Sequence, residues 1–106
     1  MTPRFRLDSV AGEPGTIYVL HFSQPLGDPA KSHGWARHYI GWTNGVSVER
    51  RLAEHQAGRG AAITAAAARA GIEMVVVHTE PGTRHDERRI KNRKKSAARF
   101  CPLCQR

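Results

Sequence analysis

A chain of 106 residues holds one domain with one modest core, and a composition that is 40% hydrophobic and 25% charged excludes a disordered tail. Seventeen Lys and Arg against nine Asp and Glu give a formal charge of +8, which points to a polyanionic partner, nucleic acid first. No apolar run reaches membrane-spanning length, no amphipathic helix offers a bulky apolar face to lipid, and the opening MTPRFRLDSVAGEP carries no signal-peptide core, so the expectation is a cytoplasmic protein with no membrane partner.

Residues 1–14, with Pro3, Gly12 and Pro14, predict a flexible arm. Thr16 to Phe22 is rich in β-branched and aromatic residues and bounded by Gly15 and Pro25, which predicts a strand. Residues 23–36 carry Pro25, Gly27, Asp28, Pro29 and Gly34 and read as a loop. A second strand, His38 to Thr43, ends at Asn44-Gly45, a strong turn dipeptide. Ser47 then caps a helix in which Val48, Leu52 and His55 share a face, with Arg51 one turn before His55. Residues 61–70, AAITAAAARA, predict a second helix stopped by Gly71. Ile72 to His78 reads as a buried strand, Pro81-Gly82 as a turn, and Thr83-x-x-Asp86 as the capping box of a last helix reaching about Ala98.

The order β-β-α-α-β-α predicts a small α+β domain over 15–98, with helices flanking a three-stranded antiparallel sheet and a tail over 99–106. Residues 84–106 hold nine Lys/Arg with only Asp86 and Glu87 as acids. The positive field is therefore concentrated in one segment, as a binding face requires.

Thr16-Ile17-Tyr18 on the first strand and Tyr39-Ile40-Gly41 on the second resemble the paired elements of the GIY-YIG nucleases. Arg51 to Gly60, RLAEHQAGRG, is similar to that family's arginine helix, and Glu87-Arg88-Arg89-Ile90-Lys91 to its acidic helix. The resemblance spans roughly residues 15–98 in the family's order, with residues 23–36 standing as an inserted loop and Arg50 as a rival to Arg51. The i, i+4 relation to His55 favours Arg51.

The resemblance implies a metal-dependent endonuclease acting on nucleic acid, DNA ahead of RNA, with Mg²⁺ or Mn²⁺ on Glu87. Tyr18 would activate water, Tyr39 would assist in positioning, and Arg51 would clamp the scissile phosphate. His55 would position the nucleophile or the phosphate, and Gly41 would allow close backbone approach. The residue types suit the task. Arginine matches phosphate as a charged fork, a single carboxylate suits Mg²⁺, and a phenol needs a nearby cation before it can serve as a base. Arg50, Arg59, Arg88, Lys91, Lys94 and Lys95 are candidate contacts to the nucleic-acid backbone.

Cys101-Pro102-Leu103-Cys104 has half-zinc-site spacing, and His33 and His38 have that of a zinc-finger histidine pair. A structural Zn²⁺ joining loop and tail is one reading, and reduced thiols are the other. Two further functions stay open from the residues alone: a non-catalytic nucleic-acid-binding module using the basic helix, and a zinc-dependent interaction domain. The oligomeric state is not read from the sequence.

Overall fold

The computed structural model describes residues 14–27, 35–92 and 101–103. Of the arm over 1–14 only Pro14 falls among them, and His33, Lys94, Lys95 and Cys104 lie outside.

Three strands, β1 (Gly15–Gly27), β2 (Trp35–Thr43) and β3 (Met74–Gly82), form one antiparallel sheet in the order β2-β1-β3. Helices α1 (Val48–Gln56) and α2 (Ala62–Arg69) connect β2 to β3, and α3 (Arg84–Lys91) follows β3. The α+β class and the three-stranded antiparallel sheet agree with the sequence reading.

Strand β1 is central, which explains its uninterrupted burial from Ile17 to Leu20. Its alternate residues supply two cores. Tyr18, Leu20 and Phe22 pack with Ala67, Ile72 and Met74 beneath α1 and α2. Ile17 and Val19 pack with Ile40 on the other face, where Trp42 and Ile90 of α3 close over them. Burying each such side chain contributes about 1.5–3 kcal/mol, so an eight-residue helix as polar as α3 is held by Ile90 more than by propensity.

Two boundaries differ from the sequence reading, and a third, the end of the last helix near Ala98, lies outside the described residues. The predicted loop over 23–36 is strand at both ends, since Leu26 pairs with Ala36 and Gly27 with Trp35 after a register shift beyond His21. Pro25 and Gly27 are accommodated in that irregular stretch, and only residues 28–34 fall outside the described residues. The third strand begins at Met74 and runs through Pro81-Gly82, which pair with Thr16 and Gly15. It is an edge strand with Val75 46% exposed, where proline is tolerated and burial is one-sided. The last helix is described as far as Lys91, with Asn92 at its C-cap.

Both predicted helix starts are present. The Ser47 hydroxyl accepts from the Arg50 amide at 3.1 Å, and Thr83 and Asp86 exchange reciprocal side-chain to backbone bonds. These caps fix the starts of α1, which packs on α2 and β3, and of α3, which packs on β2.

Candidate active site

Tyr18 and Tyr39 project on one face of the sheet because Tyr18 stands opposite Gly41, and Tyr39 opposite Leu20. Gly41 makes this possible: a Cβ there would overlap the Tyr18 phenol ring. The close approach is thus that of the Tyr18 side chain to the β2 backbone.

The Tyr18 hydroxyl lies 2.9 Å from His55 Nε2, and His55 Nδ1 lies 2.8 Å from Thr64 Oγ1. Thr64 donates its own hydrogen to the Ala61 carbonyl at 3.0 Å. Its oxygen must therefore accept from His55 Nδ1–H, which leaves Nε2 bare to accept the phenol hydrogen. Proton direction is set along the whole chain: phenol to imidazole to threonine to carbonyl. Tyr18, His55 and Thr64 are all buried, and among the described residues no buried side-chain polar atom lacks a partner. Gly60, at a φ of +104°, passes so close to His55 Nδ1 that a side chain there would both strain the backbone and press on the ring.

Arg51 extends from α1 beside this chain. Its Nε donates to Thr43 Oγ1 at 3.2 Å and its Nη1 to Glu54 at 2.9 Å, so strand end and helix together fix the fork. Arg50 points outward, with its side chain 75% exposed, and is absent from the cleft lining. Glu87, on α3, is 6% exposed. One carboxylate oxygen sits 3.0 Å from Lys91 Nζ and the other 4.0 Å from Arg84 Nε.

These groups line one cleft of about 230 Å³, together with Tyr39, Trp42 and Glu54. The cleft is open to solvent and holds several water volumes. Its charged rim is mixed: Arg51, Arg84 and Lys91 against Glu54 and Glu87. Lys91 Nζ also sits 5.5 Å over the Tyr39 ring, and Arg84 stacks 5.6 Å from Trp42, whose indole donates to the Gly82 carbonyl. Lys91 is therefore a cleft residue, while Arg59 and Arg88 are exposed outside it.

Burial, reinforced by Tyr39, pushes the Tyr18 phenol far above its ordinary range, against a smaller opposing pull from Arg51. Burial and then Arg51 hold His55 below the usual histidine value, with Glu54 opposing. The resting state is a neutral phenol bonded to a neutral imidazole.

A second cluster lies on the sheet face that carries Ile17 and Val19. His21 and His38 are cross-strand partners with Nδ1 and Nε2 3.4 Å apart, and Cys101 Sγ is 3.3 Å from the same His21 nitrogen. The three donor atoms all lie within 4.8 Å of one another, and the group could hold a metal ion.

No family model, no curated protein and no solved structure matches this chain.

The structure thus brings Tyr18, Tyr39, Arg51, His55 and Glu87 together in one cleft, and of the predicted zinc ligands it places His38 beside Cys101. His33 and Cys104 fall outside the described residues, and His21 takes the place expected for His33. Sequence reasoning missed Thr64, Glu54, Arg84 and His21. Thr64 had a signal, as the one hydroxyl in AAITAAAARA. His21 needed the hairpin register, which the length of the intervening segment hid.

Proposed function

We propose that this protein is a GIY-YIG-type endonuclease that hydrolyses phosphodiester bonds in DNA with Mg²⁺ or Mn²⁺ held on Glu87. The observation that carries the reading is convergence. Two phenols from neighbouring strands, a guanidinium oriented from two sides and a nearly buried carboxylate face one cleft.

The donor set fits the ion. Mg²⁺ takes one or two carboxylate oxygens and keeps waters and substrate oxygens for the rest, and Glu87 is the cleft carboxylate not committed to Arg51. Lys91, whose side chain is 44% exposed, has room to leave Glu87 for a phosphate oxygen. Bound there, the ion would lower the pKa of a water and offset charge on the transferring phosphoryl group.

Arg51 supplies a charged fork for the scissile phosphate. The Tyr18 phenol is too weak an acid to rest as phenolate, so it acts as a relay. Its oxygen takes a proton from the attacking water while its own hydrogen passes to His55 Nε2, leaving imidazolium. The resulting hydroxide forms the new P–O bond, and the bond to the leaving oxygen breaks, with solvent water protonating that oxygen. A phosphodiester on Arg51 favours this route, because it offsets the guanidinium field that adds to burial in holding His55 weakly basic. Tyr39 packs against both rings, with centroids 6.4 Å from Tyr18 and 5.2 Å from His55, and keeps them in register.

The basic residues outside the cleft, Arg50, Arg59 and Arg88 among them, are suited to sugar-phosphate contacts that fix position without reading sequence. So small a surface favours weak sequence preference or recognition of a nick, flap or junction. Incubation with supercoiled, branched and single-stranded DNA in Mg²⁺, Mn²⁺ or EDTA tests the reading. Metal-dependent cutting is expected, and binding without cutting on every substrate would replace it with a non-catalytic DNA-binding module.

A further inference from the structure

We propose that His21, His38 and Cys101 bind a structural Zn²⁺ ion, and that this ion clips the segment around Cys101 onto the β1–β2 hairpin.

Two of the three distances between donor atoms match those of a tetrahedral zinc site, and the third lies within 4.8 Å. With Zn–N near 2.0–2.1 Å and Zn–S near 2.3 Å, tetrahedral ligands stand about 3.3–3.4 Å apart for two nitrogens and about 3.5 Å for nitrogen and sulfur. His21 Nδ1 is 3.4 Å from His38 Nε2 and 3.3 Å from Cys101 Sγ. As a hydrogen bond, 3.4 Å between ring nitrogens is long, and a single ring nitrogen facing both an imidazole and a thiol suits a shared cation better.

The chemistry selects the metal. Two imidazoles and a thiolate are borderline-to-soft donors that favour zinc over Mg²⁺. Cys101 is fully buried although it lies 80 residues from His21 and follows a strongly basic segment. A metal clip explains why this thiol is seated against His21 of the sheet.

This site is separate from the cleft. None of its ligands lines that cleft, and His21 points to the opposite face from Tyr18. Its test therefore does not depend on nuclease activity. The full-length protein, purified without chelator, should carry about one zinc per chain by elemental analysis. Replacement by Co²⁺ should give a thiolate-to-cobalt charge-transfer band in the near ultraviolet and a tetrahedral visible spectrum. Chelation should lower the melting temperature, and re-addition of Zn²⁺ should restore it. Cys101→Ser should abolish stoichiometric zinc and the charge-transfer band of the Co²⁺ form. Should Cys101→Ser fail to fold, His38→Gln provides the same readout. A purified protein that neither carries zinc nor takes it up on titration overturns the site, as does a cobalt spectrum without a thiolate band.

Discussion

The substitution Thr64→Val isolates the proton chain behind Tyr18. Valine matches threonine in shape, so packing in the fully buried site beneath α2 is kept and only the hydroxyl is lost. That hydroxyl accepts from His55 Nδ1–H and donates to the Ala61 carbonyl. Removing it leaves a buried imidazole N–H without its acceptor, a cost of about 1–3 kcal/mol. At about 4–8 °C per kcal/mol for a domain of this size, the melting temperature should fall by roughly 5–20 °C. Activity should fall further than stability explains. Without the Thr64 oxygen the imidazole is free to carry its hydrogen on Nε2, and Tyr18 then loses its proton acceptor. Loss of a positioned base costs about 10²-fold or more in kcat. Thr64→Ser keeps the oxygen and loses one methyl, about 0.8 kcal/mol, so kcat should stay within a few fold of the parent. Calorimetry or urea melts give the first quantity and single-turnover nicking the second. If Thr64→Val matches the parent in both, or Thr64→Ser is as damaged as Thr64→Val, the proton chain has no role.

Other substitutions separate residues that the sequence left as rivals. Arg51→Ala should lower kcat about 10²–10³-fold, the cost of one lost transition-state donor. Arg50→Ala, exposed and paired with Glu54 only at 3.9 Å, should change stability by no more than about 0.5 kcal/mol and leave nicking within a few fold. Gly41→Ala should destabilise the fold by about 1–3 kcal/mol and reduce activity, because the new methyl overlaps the Tyr18 ring; unaltered denaturation and nicking would contradict the close packing. The pH profile should show the depressed histidine. His55 must be neutral to accept the phenol proton, and burial followed by Arg51 lowers its folded pKa below the unfolded value of about 6.5. Its contribution to stability is therefore fully present above about pH 6.5 and lost as pH falls through the folded value. Activity should hold at pH 6.5 and drop on further acidification, with the stability loss absent in His55→Gln. An acid limb centred above pH 6.5 would contradict the assignment.

Much of this arrangement was legible in the sequence, and where it was not the reasons are physical. Ser47 and Thr83-x-x-Asp86 announce their helices because a cap is a local device, written in the residues that make it. The spacing of Arg51 and His55 places them on one face because a helix has a fixed period. The limits of β1 and β2 were hidden, since Pro25 and Gly27 signal a loop and a register irregularity absorbs them. Burial of β3 was overread: Met-Val-Val-Val has the composition of a central strand, but strand order is a global property and put β3 at an edge. The His21–His38 pairing belongs to the same class, because register across a long hairpin cannot be counted from one strand. Lys91 looked like one more cation of a basic stripe, yet its i, i+4 relation to Glu87 puts it in the cleft.

The claim at the centre is that the carboxylate of Glu87 and the phenol of Tyr18 serve one hydrolytic reaction. Its most direct test is metal-dependent nicking of supercoiled DNA by the parent, Glu87→Gln and Tyr18→Phe, with binding followed in parallel by gel shift. The expected result is cutting in Mg²⁺ or Mn²⁺ by the parent, a loss of at least about 10²-fold in both variants, and DNA affinity that survives. Cutting at the parent rate by Glu87→Gln, or no cutting by the parent on any substrate with either ion, would contradict it.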